Sequence, residues 1–146
     1  VVASPNSVQN KLVYLEVAAL TLHKQSINQP IVDVAKRQQA IELINEAITL
    51  KEQQLPPNGA ATPLKPVHEL AAGMMLEMGM AEEAAGLFEV SLQRLKNRPW
   101  SLLGAAQSYV KLSESGKASD KYHALLAVWS DDSHGAVQEA KRYLNY

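Results

Sequence analysis

The sequence predicts an all-α fold in which helical hairpins stack on one another, about seven helices in all. Three observations point there. The stretch from His68 to Trp129 matches itself when displaced by 34 residues. Ala71 and Ala72 fall on Ala105 and Ala106, Met75 on Tyr109, Met78 on Leu112, Ala84 on Ala118, Phe88 on Tyr122, Leu92 on Leu126 and Leu95 on Trp129. Small residues meet small ones and large apolar residues meet large apolar ones, and a fixed period of this size marks stacked helix–turn–helix units. Apolar residues also recur at three-and-four spacing through most of the chain, the signature of amphipathic helices. Prolines gather between these stretches, where they punctuate helices without breaking them.

The chain has 146 residues, which argues for one domain over 1–146 with a core that needs no staples. It has no cysteine, so disulfides and thiolate metal sites are excluded. Fourteen basic and fifteen acidic residues are well mixed and leave a net charge of -1. That balance removes a general pull toward nucleic acid or anionic lipid. No apolar run approaches the roughly 18–20 residues that a membrane span needs. The chain starts at Val1, as a chain would after loss of a leader or as a piece of something longer. Composition therefore leaves the compartment open between cytoplasmic and exported.

Residues 1–7 form a lead-in, with Ser7 placed to cap the first helix. That helix runs from about 8 to 26, with Leu12, Leu15, Ala18, Ala19 and Leu22 on one face. Pro30 suits a first helical turn and opens the second helix, which extends to about 54. Its expected buried side carries Ile31, Val34, Ala35, Ile41, Ile44, Ala47 and Ile48. Residues 55–66 hold four prolines and a glycine, and no regular element survives that density. This segment is expected to be an ordered crossing loop. A third helix, 66–78, stops at Gly79. A fourth runs 81–96, and a fifth 99–114 opens with Pro99. Gly116 breaks the chain before a sixth at 117–130, and Ser130 to Ser133 supply turn and capping residues. A last helix, 134–145, places Ala136, Ala140 and Tyr143 34 residues after Leu102, Ala106 and Tyr109. Its polar outer face suits an array end. The divisions are thus a long hairpin at 8–54, a Pro-rich loop at 55–65, repeats at 66–98 and 99–132, and a capping helix at 133–146.

With Ala84/Phe88 and Ala118/Tyr122 at Ala-x3-aromatic spacing, residues 68–146 resemble tetratricopeptide repeats. Ala40, Ile44 and Ala47 follow the second-helix spacing of a longer, divergent repeat. The family's Trp and Gly of the first helix are absent: His68 and Leu102 stand for the Trp, Ala72 and Ala106 for the Gly. The closing proline is Lys96 and then Ser130. The prolines, the run from Pro66 to Leu70 and the closing Asn97-Arg98-Pro99 further resemble the carboxy-terminal end of some long bacterial repeat proteins. The resemblance implies a right-handed α-α superhelix of about three hairpins with a capping helix.

Chemistry finds few footholds. His23, His68, His123 and His134 are not paired at helical ligand spacing, and there is no HExxH. Asp131, Asp132 and His134 can be drawn as a metal cluster but fit a helix cap better. Glu82 and Glu83 open a helix, where acids suit the positive end of its dipole. Arg94, Lys96 and Arg98 form a basic spot that reads as a solvated helix end. Of the methionines, Met75 and Met78 are expected in the core, while Met74 and Met80 are left open. No cofactor, metal or catalytic constellation is expected.

Stacked hairpins line a concave face with their first helices, and such faces bind extended peptides or partner helices. The expected partner-binding residues are Leu20, His23, Glu69, Gly73, Leu76, Trp100, Leu103, Gln107, Val110 and Lys111. Trp100 is the anchor candidate, since tryptophan dominates interface energies. In the family's chaperone-binding members, a basic and asparagine-rich clamp holds a terminal carboxylate. Here those places hold Glu69, Gly73, Leu103 and Gln107, so the resemblance does not extend to that ligand. The first reading is a non-catalytic protein-interaction module for a protein or peptide. A second is a structural end segment of a longer array, or a homodimer that hides its groove. A third is an enzyme without a recognisable motif.

Overall fold

A computed structural model describes residues 5–28, 31–54 and 65–145, with side chains from Ser7 onward. The expected crossing loop falls almost wholly outside the described residues, as do Pro30 and the first four positions. All regular structure among the described residues is helical. These residues form seven helices: α1 (Pro5–Ile27), α2 (Val34–Glu52), α3 (Val67–Glu77), α4 (Ala81–Arg94), α5 (Pro99–Lys111), α6 (Ser115–Val128) and α7 (Gly135–Leu144). The chain divides into two compact units, Val1–Leu70 and Ala71–Tyr146.

In the first unit α1 and α2 form an antiparallel pair. Lys11, early in α1, makes a 2.8 Å ion pair with Glu46, late in α2, while the Asp33 amide donates to the Ser26 carbonyl at the other end. Leu12, Leu15 and Ala19 are buried on α1, and Ala40, Ile44 and Ala47 on α2. Ser7 lies inside the first helical turn and does not cap it, because α1 already starts at Pro5. The second helix starts at Val34 and not at Pro30, because Asp33 is its cap: its carboxylate accepts from the Lys36 amide at 3.1 Å. Ile31 therefore precedes the helix, and Val34 and Ala35 lie off the face set by Ala40, Ile44 and Ala47. Ile31, Val34 and Ala35, expected inside, are exposed, Ile31 by 83%. His68 is buried with its Nε2 3.1 Å from Glu52 Oε1.

In the second unit the 34-residue period reappears in backbone geometry. Gly79 (φ 81°) and Ser113 (φ 60°) both sit in the left-handed region. Around Gly79, the Met80 amide donates to Met75 O and the Gly79 amide to Leu76 O. Around Ser113, the Glu114 amide donates to Tyr109 O and the Ser113 amide to Val110 O. These are two copies of the helix ending in which crossed bonds satisfy the last carbonyls. The following helices also start alike, with Ala84 bonded to Met80 O and Ala118 to Glu114 O. They end alike too, with Leu95 bonded to Ser91 O and Trp129 to Leu125 O.

Consecutive helices α4 to α7 pack against one another. Ala71, Ala72, Ala105 and Ala106 are all fully buried, and Gly104 of α5 lies against the Phe88 ring of α4. Met75 and Met78 are buried as expected, and so is Met74. Two expected boundaries shift. α5 ends at Lys111, and α6 starts at Ser115 with Gly116 in its first turn, because the left-handed residue that closes α5 is Ser113.

Candidate partner-binding surface

Helix α5 holds five of the ten expected residues, and their spacing puts Trp100, Leu103, Gln107, Val110 and Lys111 along one face. Pro99 sits at the start of this helix, so the indole of Trp100 emerges in the first turn. It is 50% exposed. Its ring is edge-on to Trp129, with centroids 5.3 Å apart, and edge-on to His134 at 5.7 Å. Trp129 and His134 lie 4.0 Å apart with rings tilted by 39°. The three rings hold one another, so Trp100 presents its outer surface without free rotation. Its position recurs 34 residues later as His134.

The rest of the α5 face is mixed. Val110 and Lys111 are exposed. Gln107 is half-buried and donates from Nε2 to both Glu139 oxygens, at 3.0 and 3.1 Å. Leu103 is 9% exposed and belongs to the interior. Gly73 and Leu76 of α3 are half-buried. In the first unit Leu20 is exposed, but His23 and Glu69 are fully buried. Leu103, His23 and Glu69 therefore do not offer a surface: all three are buried, Leu103 even though it shares the face of Trp100 and Val110.

Two carboxylates organise the neighbouring polar groups. Glu139 accepts the Tyr122 hydroxyl at 2.7 Å as well as Gln107. Glu89 accepts the Tyr109 hydroxyl at 2.9 Å and pairs with Lys121 at 2.7 Å. Burial, and then the hydrogen bond to Glu89, push the Tyr109 hydroxyl up to about 12. Burial and the bond to Glu139 raise Tyr122 in the same direction. Lys117 lies over the Tyr109 ring, 5.1 Å from its centroid. Beside this cluster is an open groove of about 550 Å³, lined by Leu92, Leu102 and Tyr109 and by charges of both signs, Lys96, Lys117 and Lys121 with Glu89 and Asp120. Sequence reasoning misses it because its residues come from three helices with no common spacing.

The Asp131, Asp132 and His134 cluster resolves into a turn and a cap. Asp131 accepts from the Ser133 amide and hydroxyl, and these bonds hold its carboxyl below the usual range. Asp132 pairs with Lys141 at 2.8 Å. His134 Nδ1 accepts from the Ala136 amide and caps α7. Among the described residues no group of three or more His, Cys, Asp or Glu side chains could hold a metal ion. No described helix is long and apolar enough to cross a membrane. Comparison with protein-family models, with curated proteins and with solved structures returns no match.

Proposed function

We propose that the chain is a non-catalytic protein-interaction module of tetratricopeptide-like hairpins that binds a peptide or helix of a partner protein along the first helices of its repeats. The observation that carries this reading is Trp100: half-exposed, held by two rings, and set at the start of the helix that the period assigns to the inner face. A large amphipathic ring that is already immobilised loses little freedom on binding, which makes it an efficient anchor. Val110 and Lys111 continue the same face with an apolar and a basic contact. The recurrence of helix endings at Gly79 and Ser113 supports the repeat on which the reading depends.

The test is affinity capture with wild type and Trp100→Ala, followed by mass spectrometry. The variant is expected to lose most of the captured proteins while its melting temperature stays close to wild type. A well-folded variant with undiminished capture removes Trp100 as the anchor. A second reading, as the structural end segment of an array, is favoured by α7. It buries Ala136, Val137 and Ala140 and turns Gln138 and Arg142 to solvent. Under that reading no partner is captured by either protein.

A further inference from the structure

One imidazole serves two structures at once. His134 caps α7, its Nδ1 accepting from the Ala136 amide at 3.2 Å. The same ring lies 4.0 Å from the Trp129 ring and 5.7 Å from that of Trp100, centroid to centroid. A ring nitrogen that accepts a hydrogen bond carries no proton, so the neutral ring holds its proton on Nε2. An added proton goes to Nδ1 and removes the lone pair on which the cap depends. The Ala136 amide is fixed by the first turn of α7 and cannot swing away, so the imidazolium must. Its charge is also unfavourable at the positive end of the α7 dipole. His134 is half-buried, within reach of solvent protons.

The charged groups on the surrounding elements show where the ring can go. Asp132 is held by Lys141 of α7 at 2.8 Å, and Glu139 of α7 by Gln107 and Tyr122. Helix α5 brings Trp100 and, at its cap, Arg98, and α6 is closed by Trp129. Asp131 is exposed in the turn just before the ring. Both of its turn bonds, from the Ser133 amide and hydroxyl, go to Oδ1, so Oδ2 can receive an imidazolium N–H. Its carboxyl is held down first by those bonds and, more weakly, by His134. The indole faces attract an imidazolium as well. That attraction does not restore the Ala136 bond, so the ring moves in either case.

We propose that His134 is a proton-operated latch on the Trp100 anchor. Neutral, it caps α7 and braces the indoles. Protonated, it gives up the cap, turns toward Asp131 and no longer braces Trp100, so partner binding weakens in acid. The inference rests on the reading of Trp100 as a partner anchor and adds the regulation of that site.

The experiment has two arms. Nitrogen–proton correlation spectra of the whole chain are followed from about pH 8 to about pH 5, the range in which imidazole side chains change charge. The Ala136 amide and the Trp100 indole N–H are expected to shift together along one titration curve. In His134→Asn, whose side-chain oxygen caps a helix at every pH, both are expected to stay still. His123→Asn, which changes an exposed histidine of the same unit, is expected to keep the wild-type curve. In the second arm, affinity capture at the two ends of the range is compared within each protein. Wild-type capture is expected to fall about fivefold in acid, the weight of one lost cap, while His134→Asn captures equally at both ends. Stationary Ala136 and Trp100 signals in the wild type overturn the latch. So do shifts that survive in His134→Asn, or an Ala136 shift that Trp100 does not follow. Trp100-dependent capture that is equal at both ends, or that falls in His134→Asn as well, overturns the regulation and leaves the anchor standing. Linked shifts with capture indifferent to Trp100→Ala remove the anchor and support the latch alone.

Discussion

Gly104 shows what a single atom does in this packing. A Cβ there would lie 2.1 Å from Phe88 Cζ and 2.5 Å from Cε1 and Cε2, so the ring rests on the bare backbone of α5. Gly104→Ala is expected to destabilise by about 1–3 kcal/mol through overpacking, and Ala106→Leu, at a fully buried position, by a similar amount. Gly86 gives the contrast. It is exposed on α4 with nothing near a Cβ, so Gly86→Ala is expected to stabilise by roughly 0.5–1 kcal/mol. Urea unfolding of the three variants reads both signs, and equal effects at Gly86 and Gly104 would remove the packing argument. The small residues at 72 and 106 are legible in the sequence because they match across the period. Gly104 is not, since its counterpart 34 residues earlier is the half-buried Leu70. Self-alignment shows which positions correspond, but not which ring reaches across to which backbone.

At the level of the helix, the two matching endings use different residues. Glycine occupies the left-handed position at 79, and serine occupies it at 113. The left-handed region costs a side-chain-bearing residue about 1–2 kcal/mol, partly offset by the larger freedom glycine loses on folding. Ser113→Gly is therefore expected to stabilise by about 0.5–1 kcal/mol, and Gly79→Val to destabilise; a calorimetric scan showing the reverse order would undo the account. The existence of the helices follows from apolar spacing and was legible throughout. Their ends were not, because ends depend on individual bonds. Asp33 starts α2 with one carboxylate contact, and no periodicity announces it. Serine at 113 carries no signal of a left-handed turn, so Gly116 drew the boundary instead. On α5 the sequence places Trp100 in the first turn after Pro99, and its indole is half-exposed there. Leu103 was misplaced because it shares a helix face with Trp100 and Val110, and spacing along one helix does not show which of its residues a neighbouring element covers.

The second unit is expected to lose stability in alkali. Tyr109 and Tyr122 both have hydroxyls raised above the ordinary value of 10. Their neutral forms are favoured in the folded state, so the stability they give is fully present below about pH 10. It is lost as the pH rises toward about 12, where the Tyr109 hydroxyl ionises in the fold. Urea midpoints are expected to fall across that window, and to fall less steeply in Tyr109→Phe with Tyr122→Phe. An unchanged slope in the double variant would show that other groups carry it. Neither carboxylate partner could be foreseen, because Glu89 meets Lys121 and Glu139 meets Gln107 at separations of 32 residues, off the period.

The ring cluster has a spectroscopic consequence. The chain has two tryptophans, and they stand 5.3 Å apart in the second unit. Indole emission therefore reports on one spot, where α5, α6 and α7 meet, and is silent about α1 and α2. Far-ultraviolet ellipticity counts every helix. If heat releases the halves at different temperatures, the two signals will part company, and the emission curve will belong to the second half alone.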